Sequence, residues 1–250
     1  MTITKQSRFA KKTVLASAIS TALFAIAMPT QAQSVTEFAK AGDVIAEARL
    51  RYEGVDQDNV LDNANATTAR LRLGYETASL AGFKALVEYD QIIALQDDYH
   101  SGSSFEPTNP DTSVVADGEI GEFNRAQISY THEAAKAVLG RQRIILDNAR
   151  FVGNVGWRQN EQTYDAARVD LTAVENLNAT YVYMNQVNDI KANDVGVKNH
   201  LLNLGYKTPV GKVVTYAYLL ENDEDNNEGT SDTFGLSFKG KAPAGDIELL

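Results

Sequence analysis

The sequence predicts an all-β chain: an antiparallel transmembrane β-barrel of the outer-membrane porin type. Three observations carry this expectation. Two segments alternate strictly between apolar and charged residues. In 46–53, Ala46, Ala48, Leu50 and Tyr52 share one face of a strand, and Glu47, Arg49, Arg51 and Glu53 share the other. In 69–76, Ala69, Leu71, Leu73 and Tyr75 oppose Arg70, Arg72 and Glu76. A soluble sandwich would bury the apolar face in its core, whereas a barrel in lipid turns it outward and keeps the charges around a wet lumen. The links between such segments alternate between short and long, as they do when short turns lie on one side of a membrane and long loops on the other. The N-terminus, finally, reads as an export signal.

The elements follow in order. Lys5, Arg8, Lys11 and Lys12 form a positive leader, and 14–27 is an apolar run too short to span a bilayer. Pro29, Thr30, Gln31 and Ala32 give a small-residue exit, so 1–32 is read as a cleaved secretory signal. A mature N-terminal segment, 33–42, leads into a barrel domain over 43–250. Ten strands are expected near 43–53, 67–78, 82–95, 122–131, 136–145, 163–173, 177–187, 199–207, 212–221 and 231–239, with 246–250 opening another. Short links fall at 79–81, 131–135, 174–176, 208–211 and 240–245; long polar ones fall at 54–66, 96–121, 144–162, 188–198 and 222–230. Tyr52, Tyr75, Phe83, Tyr89, Tyr130, Tyr206 and Phe238 lie near strand ends, where interfacial aromatic girdles belong. Bacterial barrels have even strand numbers and no open edge in lipid. About 10–11 strands are therefore expected here out of 16–18, with the barrel truncated at the C-terminus.

Composition narrows the function. The chain has 250 residues and no cysteine, which removes disulfide frameworks and thiolate metal sites. Past the signal, 19 Lys and Arg stand against 33 Asp and Glu, an acidity that argues against nucleic acid as a partner. Charge is also segregated. Every arginine after the signal lies between Arg49 and Arg168, largely on expected strands, and the acids cluster in expected loops at 56–62, 97–122 and 221–232.

The most distinctive stretch is 139–169 (LGRQRIILDNARFVGNVGWRQNEQTYDAARV). It starts as a strand, loses alternation at Arg141, Gln142 and Arg143, and crosses glycine-punctuated polar sequence to a strand at Thr163. It holds five arginines, the only tryptophan (Trp157), and Asp147, Glu161 and Asp165. A strand running into a long Arg/Asp loop suggests an inward-folded constriction over 144–162, because rings of charged side chains build filters in wide pores. Guanidinium forks there bind carboxylates in bidentate fashion and attract anions. On this reading Arg49, Arg51, Arg70, Arg72 and Arg125 line the wall as a cationic ladder. Arg141, Arg143, Arg150 and Arg158 form the narrow region, with Asp147 and Glu161 opposite.

The signal, the segments RLRYE (49–53) and ARLRLGY (69–75), and above all GRQRIILDNARFVGNVGWRQNEQTYD (140–165) resemble outer-membrane proteins of the alginate-export family. That resemblance implies a monomeric, 18-stranded barrel whose arginine-rich lumen passes an anionic polysaccharide such as alginate, or a related solute. Its surroundings would be outer-membrane lipids and lipopolysaccharide.

Two other classes compete with a channel. A barrel hydrolase needs an activated nucleophile or paired acids. Of His100, His132 and His200 only His100, beside Asp97 and Asp98, is placed for such work, and it reads as a solvated loop residue. A calcium-bridged adhesive barrel is suggested by the acidic run 223–229, but its glycine falls one position late for an EF-hand and Phe234 stands where the closing Glu belongs. The expectation is a passive porin for anionic solutes, not an enzyme, with no catalytic residues, cofactor or metal.

Overall fold

A computed structural model describes residues 40–222, 229–242 and 245–249. The secretory signal, most of the 33–42 segment and most of the acidic run 223–229 lie outside the described residues. Eleven strands follow one another: β1 (Asp43–Val55), β2 (Ala64–Glu76), β3 (Phe83–Asp98), β4 (Gly121–His132), β5 (Ala135–Gln142), β6 (Thr163–Leu171), β7 (Leu177–Asn188), β8 (Asp194–Thr208), β9 (Gly211–Asn222), β10 (Gly229–Ala242) and β11 (Gly245–Leu249). They form one antiparallel sheet in which each strand pairs with its neighbours in sequence. This is the up-and-down order that the sequence led one to expect of a barrel wall.

The period-2 pattern decides which face is which. Leu50, Leu71, Leu73 and Leu139 are 71%, 48%, 51% and 65% exposed on the outer face. The residues that alternate with them, Arg70 and Arg72, are each 5% exposed, and Glu88 and Asp90 on β3 are buried beside them. Outward apolar and inward charged is the reverse of a soluble sheet.

Bulges re-aim particular side chains. At the β3–β4 pairing Glu88 faces Arg125 and Tyr89 faces Phe123, so Asn124 is the extra residue. Turns at one end are short: 133–134 joins β4 to β5, and 209–210 joins β8 to β9. At the other end, 99–120 and 143–162 are long.

Several boundaries differ from expectation: β3 runs on to Asp98 and β10 to Ala242, each three residues past the expected end, and three further differences have a visible cause. β5 ends at Gln142 rather than near 145, because Arg143 already turns to meet Glu161. β8 begins at Asp194 rather than near 199. The link before it is a tight turn, in which the Asp189 side chain accepts from Lys191 N (2.8 Å) and Asn193 N (2.9 Å). β2 begins at Ala64, with Ala64 and Ala66 buried under Tyr99 and Val115 of the β3–β4 loop.

Candidate functional site

The β5–β6 loop lies across the inner face of the sheet and is held by two different surfaces. Its first half is apolar. Ile144, Leu146 and Val152 are buried against Tyr164 and Ala166 of β6, Val182 and Met184 of β7, Val197 and Leu201 of β8 and Tyr218 of β9. A tight turn carries this half, closed by Leu146 N to Val152 O at 3.0 Å, with Asp147 and Ala149 at φ of +53° and +61°.

The second half is polar and docks on β1–β4. Arg49 donates to the carbonyls of Gly156 (3.3 Å), Trp157 (2.7 Å) and Arg158 (3.0 Å), and Arg51 also donates to the Trp157 carbonyl at 2.5 Å. Arg70 donates to the Gln159 carbonyl at 2.8 Å and pairs with Glu47. Gln159 returns its side-chain amide to the carbonyl (3.0 Å) and hydroxyl (2.9 Å) of Thr68. Trp157 stands under two guanidinium groups, Arg158 at 4.1 Å and Arg51 at 5.1 Å from the ring centre, both within cation–π range.

At the centre lies a balanced ionic cluster. Arg72 grips Asp90 with two bonds of 2.7 and 2.6 Å and reaches Glu161 at 2.9 Å. Arg125 forks onto Glu88 at 3.0 and 2.6 Å. Arg143 forks onto Glu161, with its Nε at 2.6 Å. Asn124, the bulge residue, bridges Glu88 (2.5 Å) and Glu161 (2.7 Å), and Asn154 adds a bond of 2.5 Å to Glu161. Burial alone would raise the Glu161 pKa. The Arg143 bonds and charge, with the two amide donors, outweigh it and hold the carboxyl at about 2. Glu161 raises the Arg143 pKa in return, against the opposing effect of burial.

The β3–β4 loop joins the assembly through Asp117, which accepts from Gln159 N at 2.9 Å and faces Arg51 and Arg158, each at 3.6 Å. Arg158 also pairs with Glu53 at 3.0 Å.

The expected site residues therefore divide. Arg49, Arg51, Arg70, Arg72, Arg125, Arg143, Arg158 and Glu161 come together. Arg141 does not join them; it points with the opposite strand parity from Val138 and Gln142 and forks onto Asp165 at 2.9 and 3.3 Å. Asp147 does not oppose the arginines either, because its carboxylate accepts from Asn203 at 2.6 Å and from Tyr218 at 3.5 Å. Arg150 sits apart over Phe151, 5.9 Å from the ring centre. His100 is half-buried rather than solvated, bridged to Thr108 and Val114 within its loop.

Sequence reasoning missed Glu88, Asp90, Asn124, Asp117, Gln159 and Asn154. For Glu88 and Asp90 a signal existed, since they repeat on β3 the two-residue spacing of Arg70 and Arg72 on β2. The amides gave none, because their roles depend on a bulge and a loop path.

No protein-family model and no curated protein matches the chain. Solved structures do. OccAB1 of Acinetobacter baumannii superposes with a TM-score of 0.58 at 13% identity, covering 82% of this chain and 54% of its own. OccK9 (OpdG) of Pseudomonas aeruginosa gives 0.57 at 11% identity, covering 84% and 62%, and OccAB3 of A. baumannii gives 0.57 at 14%, covering 84% and 61%. These are outer-membrane porins of the Occ/OprD group, so the chain is porin-like in fold. It spans between 54% and 62% of their lengths.

Proposed function

We propose that this chain builds the wall and inner constriction of a bacterial outer-membrane channel through which anionic solutes pass without energy input. The observation that carries the reading is the charge balance of the docked loop. Arg72, Arg125 and Arg143 are matched by Glu88, Asp90 and Glu161, and Arg51 and Arg158 by Glu53 and Asp117. Arg49 is bonded to carbonyl oxygens only, and Arg150 has no carboxylate partner among the described residues. Both arginines stand at the constriction without a carboxylate partner, whereas Asp147 on the same turn is taken up by Asn203 and Tyr218; the placement of these charges, rather than the net charge of the acidic chain, steers a permeant ion.

This changes the role proposed for the ladder. Arg70 and Arg72 act on solutes indirectly, by fixing the loop, and Arg49 and Arg150 supply the attracting charge. The outer face sits in lipid, with lipopolysaccharide around the long-loop rim and each chain acting as a monomer. Passage is diffusion, not catalysis. The finer assignment, to carboxylated sugars or polyuronates such as alginate, is supported by the resemblance of 140–165 to the alginate-export family.

Planar-bilayer recordings under a KCl gradient test the reading. The reversal potential is expected on the anion-preferring side, and the double variant Arg49→Ser/Arg150→Ser is expected to move it toward zero. A cation-preferring pore would refute the proposal.

A further inference from the structure

On β8–β10 the outward side chains fall in rows set by the strand register. Leu202, Ala217 and Phe234 stand side by side, and Leu204, Thr215 and Leu236 form the next row toward the short turns. In both rows the middle strand carries the smallest residue. β9 is therefore the floor of an open trough, walled by the leucines of β8 on one side and by Phe234 on the other. Its volume is about 410 Å³, within the range of about 300–1,000 Å³ that seats small molecules. The Thr215 hydroxyl donates to the Gly235 carbonyl at 3.2 Å, so the threonine adds no unpaired polar group to the floor.

The depth of the trough follows from the row beneath it. Tyr206, Val213 and Phe238 form that row, and aromatics so placed mark a membrane interface. The trough rows stand two and four residues above it, about 5 and 10 Å in depth for strands tilted as in a barrel. That is less than half of an apolar band about 25 Å tall, and the short turns of such barrels are periplasmic. The trough thus opens on the phospholipid leaflet, away from lipopolysaccharide at the long-loop rim.

Charge differs between the two ends of these strands. Toward the long loops they carry Asp194, Glu221 and Asp232, whereas 204–218 and 233–241 contain four lysines and no acid. Lys239 and Lys241 meet Glu248 and Asp246 in register on β11, but Lys207 and Lys212 oppose each other directly. Like charges so placed destabilise a strand pair, and an anion beside them relieves it. Lys212 leans over Gly205, where a Cβ would fall 2.7 Å from its side chain. Lys207 is exposed and has no acid partner among the described residues. Its parity is inward, but it is the last residue but one of β8, where a four-carbon stem reaches the rim of the wall.

We infer that the trough holds one acyl chain of an anionic phospholipid from the periplasmic leaflet, with the phosphate at Lys207. The inference rests on the outer face meeting lipid and goes beyond the channel reading, since it assigns an ordered lipid to one place on the wall.

Native mass spectrometry of the full chain in mixed micelles tests it. The probes are phosphatidylglycerol and phosphatidylcholine with identical acyl chains, and lipid A. One phosphatidylglycerol is expected to stay on each chain, retained about five-fold better than phosphatidylcholine, the scale of one lysine near a lipid phosphate. Lys207→Gln is expected to erase that preference and leave acyl binding in place. Ala217→Phe, which fills the trough, is expected to cut retention of both phospholipids about ten-fold or more, the scale of a few methylenes left unseated. The exposed Lys207 keeps the test decisive even where Ala217→Phe disturbs the wall. Equal retention of the two phospholipids, tighter retention of lipid A, either variant behaving like the parent chain, or a doubled chain mass in place of a lipid adduct would each overturn the site. Reversal potentials separate this idea from the channel reading. A failed lipid site leaves the anion preference of the parent chain untouched, and a parent chain without anion preference ends the channel reading whatever lipid it keeps.

Discussion

Glu161 shows what one side chain does when several elements converge on it. It is 3% exposed and holds the loop to β2 through Arg72, to β4 through Asn124 and to its own loop through Arg143 and Asn154. A buried carboxylate of this kind is stable only while its partners remain, and losing one costs about 3–5 kcal/mol. The linkage with pH has a definite sign. Docking lowers the carboxyl from 4.5 to about 2, so the ionised form is the one the docked loop stabilises. That contribution is full above about pH 4.5 and is lost as the pH falls toward 2. Trp157 is the only tryptophan in the chain and reports on the same loop. Its fluorescence is expected to stay constant from pH 7 to 4.5 and to change between 4.5 and 2. Glu161→Gln is expected to give the acid-type emission at pH 7. A transition centred above pH 5 in the parent chain would contradict the assignment. None of Glu161's partners could be read from its own neighbourhood in sequence except Arg143 and Asn154, because Arg72 and Asn124 reach it only after four strands have been laid side by side.

At the scale of elements, strand identity was legible wherever one face met lipid and the other met charge. β1, β2 and β3 alternate cleanly, and their faces follow from that alone. The boundaries that differed lie where something other than alternation decides. The Asp189 side chain closes a turn that polar composition had suggested was a long loop. The inward side of β7 was the larger surprise. Val182 and Met184 are apolar residues facing what should be a wet lumen, and Tyr181 and Tyr183 face outward, so this strand is apolar on both faces. A two-sided apolar strand in a barrel wall is itself a signal that something apolar covers the inside. Here the cover is Ile144, Leu146 and Val152. The loop is thus packed like a core on one half and salt-bridged on the other. Replacing 145–158 with a short Gly/Ser linker is expected to raise single-channel conductance about two-fold or more, since a constriction sets the resistance of a wide pore. Unchanged conductance would place the loop outside the conduction path.

The whole molecule is a wall whose chemistry is inverted relative to a soluble protein, and this inversion was the most legible property of the sequence. It sets the response to outer-face substitutions. Leu71→Arg puts a charge among lipid chains and is expected to lower urea stability in vesicles by about 2–4 kcal/mol if the site lies near the midplane, and by less toward the interfaces. Val60→Arg, in the fully exposed β1–β2 loop, is expected to change it by no more than about 0.5 kcal/mol. Equal costs at the two sites would mean that the outer face does not meet hydrocarbon. The serial order of the strands has a kinetic consequence as well. Each strand needs only the one before it, so the sheet can lengthen hairpin by hairpin with little loop-closure entropy at each step. The bonds from Arg49 to Trp157 bridge 108 residues and break that pattern. The loop thus behaves as a clasp that can shut fully only after β1 to β9 stand in register, so its closure comes late in assembly rather than nucleating it.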